Sequence, residues 1–186
     1  MTAIGHNRGP SIDEGHAWRR HCWAQARRAL LPTLPLEVVR LRVARARAIG
    51  LDYRTYAAVR ATTGQDIVAF LFSSNALRLF APVPLLPQDR VTRLAGIRAC
   101  NRLGAAVRPL TPDDLRFEEL DAACAAPPAF ASWRDSRTVV RQALSDHRLP
   151  AEGVLVIGDT EGERDWSVAA ALAGYLTAER FFGASA

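Results

Sequence analysis

The sequence contains no lysine, because all 24 of its cationic side chains are arginines. Mechanisms that need a lysine amine are therefore excluded, namely Schiff-base catalysis and the lysine-bearing phosphate loop. The sequence also lacks paired cysteines at zinc spacing, a Gly-x-Gly-x-x-Gly dinucleotide motif and the Gly-x-Ser-x-Gly elbow of many hydrolases. These absences exclude several common enzyme classes.

Long apolar runs and a disulfide pattern are missing too. The longest apolar stretches, residues 67–72 and 168–176, are far shorter than the roughly 18 to 20 residues that span a bilayer. The three cysteines are widely spaced and odd in number, which is typical of reduced thiols. We expect a cytoplasmic protein without a membrane partner.

Charge is distributed unevenly along the chain. Residues 1–64 contain 11 arginines and four acidic residues, whereas residues 65–186 contain 13 arginines and 15 acidic residues. A basic segment of this kind favours a polyanionic partner, either nucleic acid or an acidic protein surface. A solvated arginine-rich surface would explain the same pattern, so the charge alone selects no function.

Hydrophobic periodicity predicts helices first and strands later. Residues 1–11 form a polar leader, and residues 12–64 form a basic helical segment that begins at a capping box and ends with a helix from Tyr53 to about Thr62. The apolar runs 67–72 and 154–157 are typical of buried parallel strands.

The alternation of helices and strands predicts an α/β fold. Residues 65–186 should form a small Rossmann-like parallel sheet with flanking helices, compact with the basic N-terminal helical segment. The further predicted elements are a helix opening at Ser73, a helix from Gln88 to Leu103, a strand over 105–110, a helix start at Thr111–Asp114, a helix over 136–147 and a helix from Asp159 through Ala173.

Residues 45–64, with the sequence RARAIGLDYRTYAAVRATTG, have the spacing of a helix-turn-helix. Ala46 suits a close helix approach and Gly50 suits the turn. Arg45 stands where an apolar residue is usual, and similar glycine turns join many helices that contact no DNA. The residues predicted to contact bases or phosphates are Tyr53, Arg54, Thr55 and Arg60.

A second hypothesis comes from residues 136–182, where a helix, a loop and the apolar strand VLVIGD precede acidic residues and a helix ending in Ala-Gly. This stretch resembles the closing part of haloacid-dehalogenase-like phosphatases. The resemblance implies that Asp159 binds Mg²⁺, with Asp165 or Glu163 as the second acid. The strand IVAFLF and the following Ser73, Ser74 and Asn75 resemble the strand that ends in the family's phosphate-binding serine.

The chain departs from that family at two points. The family's nucleophile is the first aspartate of an Asp-x-Asp motif after an early strand, and no such motif precedes residue 66. The family's lysine is missing, with Arg137 or Arg141 near its place. Capping also explains Thr160–Glu163 without chemistry. We therefore expect a non-enzymatic binding or regulatory protein. Its partner would be nucleic acid, a phosphate or nucleotide held with or without Mg²⁺, or another protein.

Overall fold

The computed structural model describes residues 34–183. The predicted leader (1–11) and residues 12–33 of the predicted basic helical segment lie outside these residues. The chain divides into two compact units, Met1–Val39 and Arg40–Ala186. Of the first unit only residues 34–39 are described, and the second unit contains the sheet.

The described chain alternates helices with strands. In order, its elements are α1 (Leu36–Ala48), α2 (Tyr53–Thr63), β1 (Ala69–Ser73), α3 (Gln88–Ala95), β2 (Asn101–Ala106), a 3₁₀ helix (Pro112–Leu115), β3 (Ala122–Ala125), α4 (Trp133–Asp146), a second 3₁₀ helix (Ala151–Gly153), β4 (Val154–Gly158), α5 (Glu161–Ala169), β5 (Gly174–Thr177) and α6 (Ala178–Phe182). No helix within residues 34–183 has the length and apolar character needed to cross a membrane.

The five strands form one parallel sheet in the order β3-β2-β1-β4-β5. Helices cover both faces of the sheet. Phe70 and Phe72 of β1 join a core with residues of α1, α2, α3 and α6, whereas Ala69 and Leu71 join a second core with residues of α4 and α5. Burial on both faces explains the continuous apolar runs of the central strands. The α/β, Rossmann-like fold expected from the sequence is confirmed.

The helical pair α1–α2 is attached to the start of the sheet through Arg45. The guanidinium of Arg45 donates to Asp66 Oδ2 at 3.0 Å, to the carbonyl of Ile67 at 2.7 Å and to the carbonyl of Ala99 at 3.0 Å. The buried Tyr56 donates its hydroxyl to Asp66 Oδ1 at 2.7 Å. The arginine that is unusual for a helix-turn-helix therefore has a structural use here.

The predicted helix from Tyr53 is confirmed. Both of its ends are set by capping residues next to it in the sequence. Asp52 caps its first turn by accepting from the backbone N–H of Thr55 at 2.8 Å. Gly64 closes it with a left-handed φ of 71°, a conformation that glycine adopts without strain.

In the segment between β1 and β2, the helix predicted to open at Ser73 is wrong, and the helix predicted from Gln88 is confirmed at its start but ends earlier than expected. Residues 74–78 form turns, because Arg78 has a left-handed φ of 57° and a proline-rich loop follows. The helix from Gln88 ends at Ala95, and residues 101–106 form β2. Gly104 lies inside that strand, where a Cβ would come within 2.9 Å of two leucine side chains.

Two strands were missed. Both β3 and β5 are four residues long. β3 (AACA) has no β-branched residue and β5 (GYLT) has one, so neither shows the run of β-branched residues that indicates a strand. The predicted helix through Ala173 ends at Ala169, because Ala171 has a left-handed φ of 48°. The helix predicted over 136–147 begins earlier, at Trp133, where Ser132 caps it.

Candidate functional site

The candidate site is a crevice at the carboxyl ends of the strands. The strands that follow β1 are added on one side of it, whereas the strand that follows β4 is added on the other side of the sheet. Open α/β sheets usually bind ligands outside the carboxyl ends of the strands at such a switch point. A cleft of about 450 Å³ lies there. Its lining includes Asn75 after β1, Val107 after β2, the loop 127–131 before α4, and the first turn of α5.

One wall of the crevice is apolar and aromatic. Phe130 and Trp133 line it from the loop before α4 and from the first turn of that helix, and Trp166 lines it from α5. The Phe130 side chain is fully exposed, and its backbone has a φ of 60°, which is rare for a bulky residue. Trp133 is 57% exposed, so aromatic surface faces solvent at this wall.

The polar part of the crevice centres on Glu163, which is 2% exposed. One carboxylate oxygen, Oε2, accepts from the backbone N–H of Asp159 at 2.6 Å and of Thr160 at 3.0 Å. The other, Oε1, accepts from Asn75 Nδ2 at 2.8 Å. These charge-assisted hydrogen bonds let a buried carboxylate lie at the start of α5.

Local sequence places this carboxylate. Thr160 and Glu163 form the predicted capping box, in which Thr160 Oγ1 accepts from the Glu163 N–H at 3.3 Å. Gly158 ends β4, and a Cβ at that position would lie 2.7 Å from Glu163 Oε2. Only glycine leaves room for the carboxylate against the end of the strand.

The acidic residues predicted to bind Mg²⁺ have different surroundings. Glu163 and Asp165 both line the crevice, and the hydrogen bonds of Glu163 account for both of its oxygens without a metal. Partial burial raises the pKa of Asp159, and the charge of Glu163 raises it further. Within the described part of the chain, no group of three or more His, Cys, Asp or Glu side chains is placed to hold a metal ion.

Of the three residues predicted to bind phosphate, Asn75 alone lines the crevice. Ser73 is fully buried, and its hydroxyl oxygen accepts from the Ala76 N–H at 3.0 Å. Ser74 is buried as well, and its hydroxyl oxygen accepts from the Val107 N–H at 3.1 Å. The two serines therefore fix the ends of β1 and β2.

Thr55, predicted to contact nucleic acid, faces the interior of the chain. It is buried, donates its hydroxyl to Asp52 Oδ2 at 2.6 Å and accepts from Arg180 Nη2 at 2.8 Å. Tyr53 is half-buried and Arg54 is exposed. The predicted contact residues thus do not share one exposed face.

Arg60, the fourth predicted contact, is also engaged within the chain. Its Nη1 donates to the Tyr56 hydroxyl at 3.3 Å and lies 3.7 Å from Asp66 Oδ1. On the other side of the sheet, Arg141, near the expected place of the missing lysine, donates to the carbonyl of Ala170 at 2.7 Å. Both arginines connect elements of the fold.

The aromatic wall is the part of the site that sequence reasoning missed. None of its aromatic residues, Phe130, Trp133 and Trp166, is among the site residues predicted from the sequence. The residues Pro127–Trp133 become significant only when β3 is recognised as a strand, because the loop then starts at the carboxyl edge of the sheet.

Compared with protein-family models, curated proteins and solved structures, the chain matches none.

Proposed function

We propose that this protein is a binding protein that holds a small molecule in the crevice between β1 and β4 without turning over a phosphoester. The observation that carries the proposal is the crevice itself. Its volume of about 450 Å³ lies in the range of small-molecule sites, and an apolar wall faces a few convergent polar groups, as is typical of such sites.

The proposal also specifies where the chain departs from haloacid-dehalogenase-like domains, which it resembles. In that family the nucleophile belongs to an Asp-x-Asp motif after an early strand, and β1 is the first strand of this sheet. We place Ser73-Ser74-Asn75 at that motif, which revises the phosphate-binding role predicted for the serines. The buried Ser73 hydroxyl accepts a backbone hydrogen bond, and neither aspartate is present. Binding without hydrolysis follows.

Nucleic-acid binding through α2 has less support. Thr55 and Arg60 are engaged within the chain, so Arg54 is the predicted contact that is fully available. Fluorescence anisotropy with labelled duplex and single-stranded nucleic acid at two salt concentrations tests it. We expect weak binding that Arg54→Ala leaves unchanged. Tight, salt-sensitive binding that Arg54→Ala abolishes would favour the nucleic-acid function over our proposal.

A crevice-filling variant tests the proposed site. Gly162 lines the crevice, and a Cβ at that position meets no atom closer than Thr160 Oγ1 at 4.0 Å, so the side chain of Gly162→Leu begins in open space. In a thermal-shift screen of small molecules, ligands of the crevice should raise the melting temperature of the native chain. The same ligands should fail with Gly162→Leu, whereas Gly162→Ala should keep most of their effect. Hits that bind both variants equally would contradict the proposal.

An assay for phosphoester hydrolysis tests the second half of the proposal. We expect no release from p-nitrophenyl phosphate above that of buffer, with or without Mg²⁺. Release that disappears in Ser73→Ala would contradict the proposal, because it would give the buried hydroxyl a catalytic use.

A further inference from the structure

We infer that the ligand of the crevice is a small organic cation with an aromatic or apolar body. The inference rests on the proposed function, since it names the chemistry of the ligand at the same site. Three observations carry it: the charges that line the crevice, the state of the α5 amino terminus, and the aromatic wall.

The charged groups that line the crevice are all acidic. Glu163 and Asp165 both belong to its lining, and no described lining residue is basic, although 24 of the 186 residues are arginines. In a partly desolvated cleft, lining carboxylates repel a phosphate or a carboxylate and attract a positive charge. The charge of the lining therefore opposes the anionic ligands that the sequence suggested.

The amino terminus of α5 gives a second argument against an anion, through the hydrogen bonds of the same Glu163. A helix start beside a strand end commonly binds phosphate through free backbone N–H groups. Here the N–H groups of Asp159 and Thr160 donate to the chain's own Glu163 carboxylate, at 2.6 and 3.0 Å. The chain's own carboxylate thus takes the two N–H groups just before α5, and it places a negative charge at the start of that helix.

The aromatic wall supplies the remaining part of a cation site. Ring faces attract ammonium and guanidinium groups, and they also stack on an apolar ligand body. The Phe130 side chain is fully exposed on a left-handed backbone, and Trp133 is 57% exposed. Neither ring is buried in the core, so both are available to a ligand. Aromatic surface and carboxylates in the lining of one crevice are the combination that an organic cation matches and a phosphate does not.

Three probes with the same ring and different charge test the inference: benzylammonium, benzyl alcohol and benzoate. Each is titrated into the full chain, and binding is followed by NMR through the indole N–H signals of Trp133 and Trp166. We expect benzylammonium to bind about three- to tenfold more tightly than benzyl alcohol, which is the scale of one partly solvated charge pair. Benzoate should bind most weakly, and added salt should reduce the differences.

Two variants on α5 assign the charge preference to the crevice. Asp165 is exposed and lines the crevice, whereas Glu161 is exposed on the same helix outside the lining and pairs with Arg164 at 3.2 Å. Asp165→Asn should lower the preference for benzylammonium over benzyl alcohol. The matched control Glu161→Gln should leave it unchanged.

The outcomes separate this inference from the proposed function. Benzoate binding as tightly as benzylammonium, with shifts at Trp133 and Trp166, would overturn the cation inference and leave the crevice as a binding site. Equal effects of the two variants, or no shift with any probe, would also overturn it. The proposed function itself is tested separately, by the screen against Gly162→Leu, the phosphoester assay and the nucleic-acid titration.

Discussion

Asn75 and Glu163 are 88 positions apart in sequence and are joined by a hydrogen bond of 2.8 Å from Asn75 Nδ2 to Glu163 Oε1. The bond connects the end of β1 to the first turn of α5 across the floor of the crevice. It uses the amide as a donor, so an aspartate at residue 75 could not make it in ionised form. The crevice is thus built around one carboxylate and one amide.

The first prediction concerns this pair. Asn75→Asp brings a second carboxylate against Glu163, so the pKa of the pair rises in the folded state and the variant loses stability as the pH rises. We expect a loss of about 1–3 kcal/mol in the free energy of unfolding at pH 7 and a smaller loss at pH 5. Urea denaturation at both pH values measures it. Asn75→Ala, which removes the donor without adding a charge, should show a smaller difference between the two pH values. A pH-independent Asn75→Asp would refute the argument.

The second prediction separates a structural arginine from a surface arginine on the same helix. Arg45→Ala removes the hydrogen bonds to Asp66, Ile67 and Ala99 and should lower the free energy of unfolding by about 1–3 kcal/mol. Arg47 is exposed, and Arg47→Ala should change it by less than about 0.5 kcal/mol. Urea denaturation compares the two. Equal losses of unfolding free energy in the two variants would contradict a stabilising role for the Arg45 contacts.

The third prediction uses the ion pair at the start of β2. The side chain of Arg102 donates to Asp121 at 2.7 and 3.2 Å, and these hydrogen bonds lower the pKa of Asp121. The stabilisation is therefore present above the unfolded pKa of about 4 and is lost as the pH falls through the lower folded value. Asp121→Asn should lower the melting temperature at pH 7, with a difference that shrinks below about pH 4. Asp113→Asn, at an exposed pair, is the control and should shift it little at either pH.

The fourth prediction concerns the low reactivity of the Cys100 and Cys124 thiols. Burial raises the pKa of Cys100 to about 12 and that of Cys124 to about 11. Since the thiolate is the reactive form, iodoacetamide at pH 8 should modify both residues at least about a hundredfold more slowly in the folded protein than in urea. Site-resolved mass spectrometry gives the two rates. Folded rates within tenfold of the unfolded ones would show that these thiols are accessible and ionised.

Much of the fold followed from local sequence. Continuous apolar runs indicated β1 and β4, because strands buried on both faces need apolar side chains at every position. The capping box at Thr160 and the glycine at residue 64 fixed helix ends through bonds made within a few residues. Such features can be read from the sequence because their partners are close along the chain.

The rest was decided by tertiary structure. The strands β3 and β5 form because a parallel neighbour completes their hydrogen bonds, and the composition of four-residue segments such as AACA and GYLT does not encode that pairing. Arg45 is explained only by acceptors that lie 21 or more residues away.

The crevice shows the same division between sequence and structure. The sequence alone determined which acidic and aromatic residues are available to the crevice and which of them lie at helix starts. Only the strand order brought Asn75, the loop 127–131 and Glu163 to one edge of the sheet, because the contacts between them are non-local and no local pattern records them.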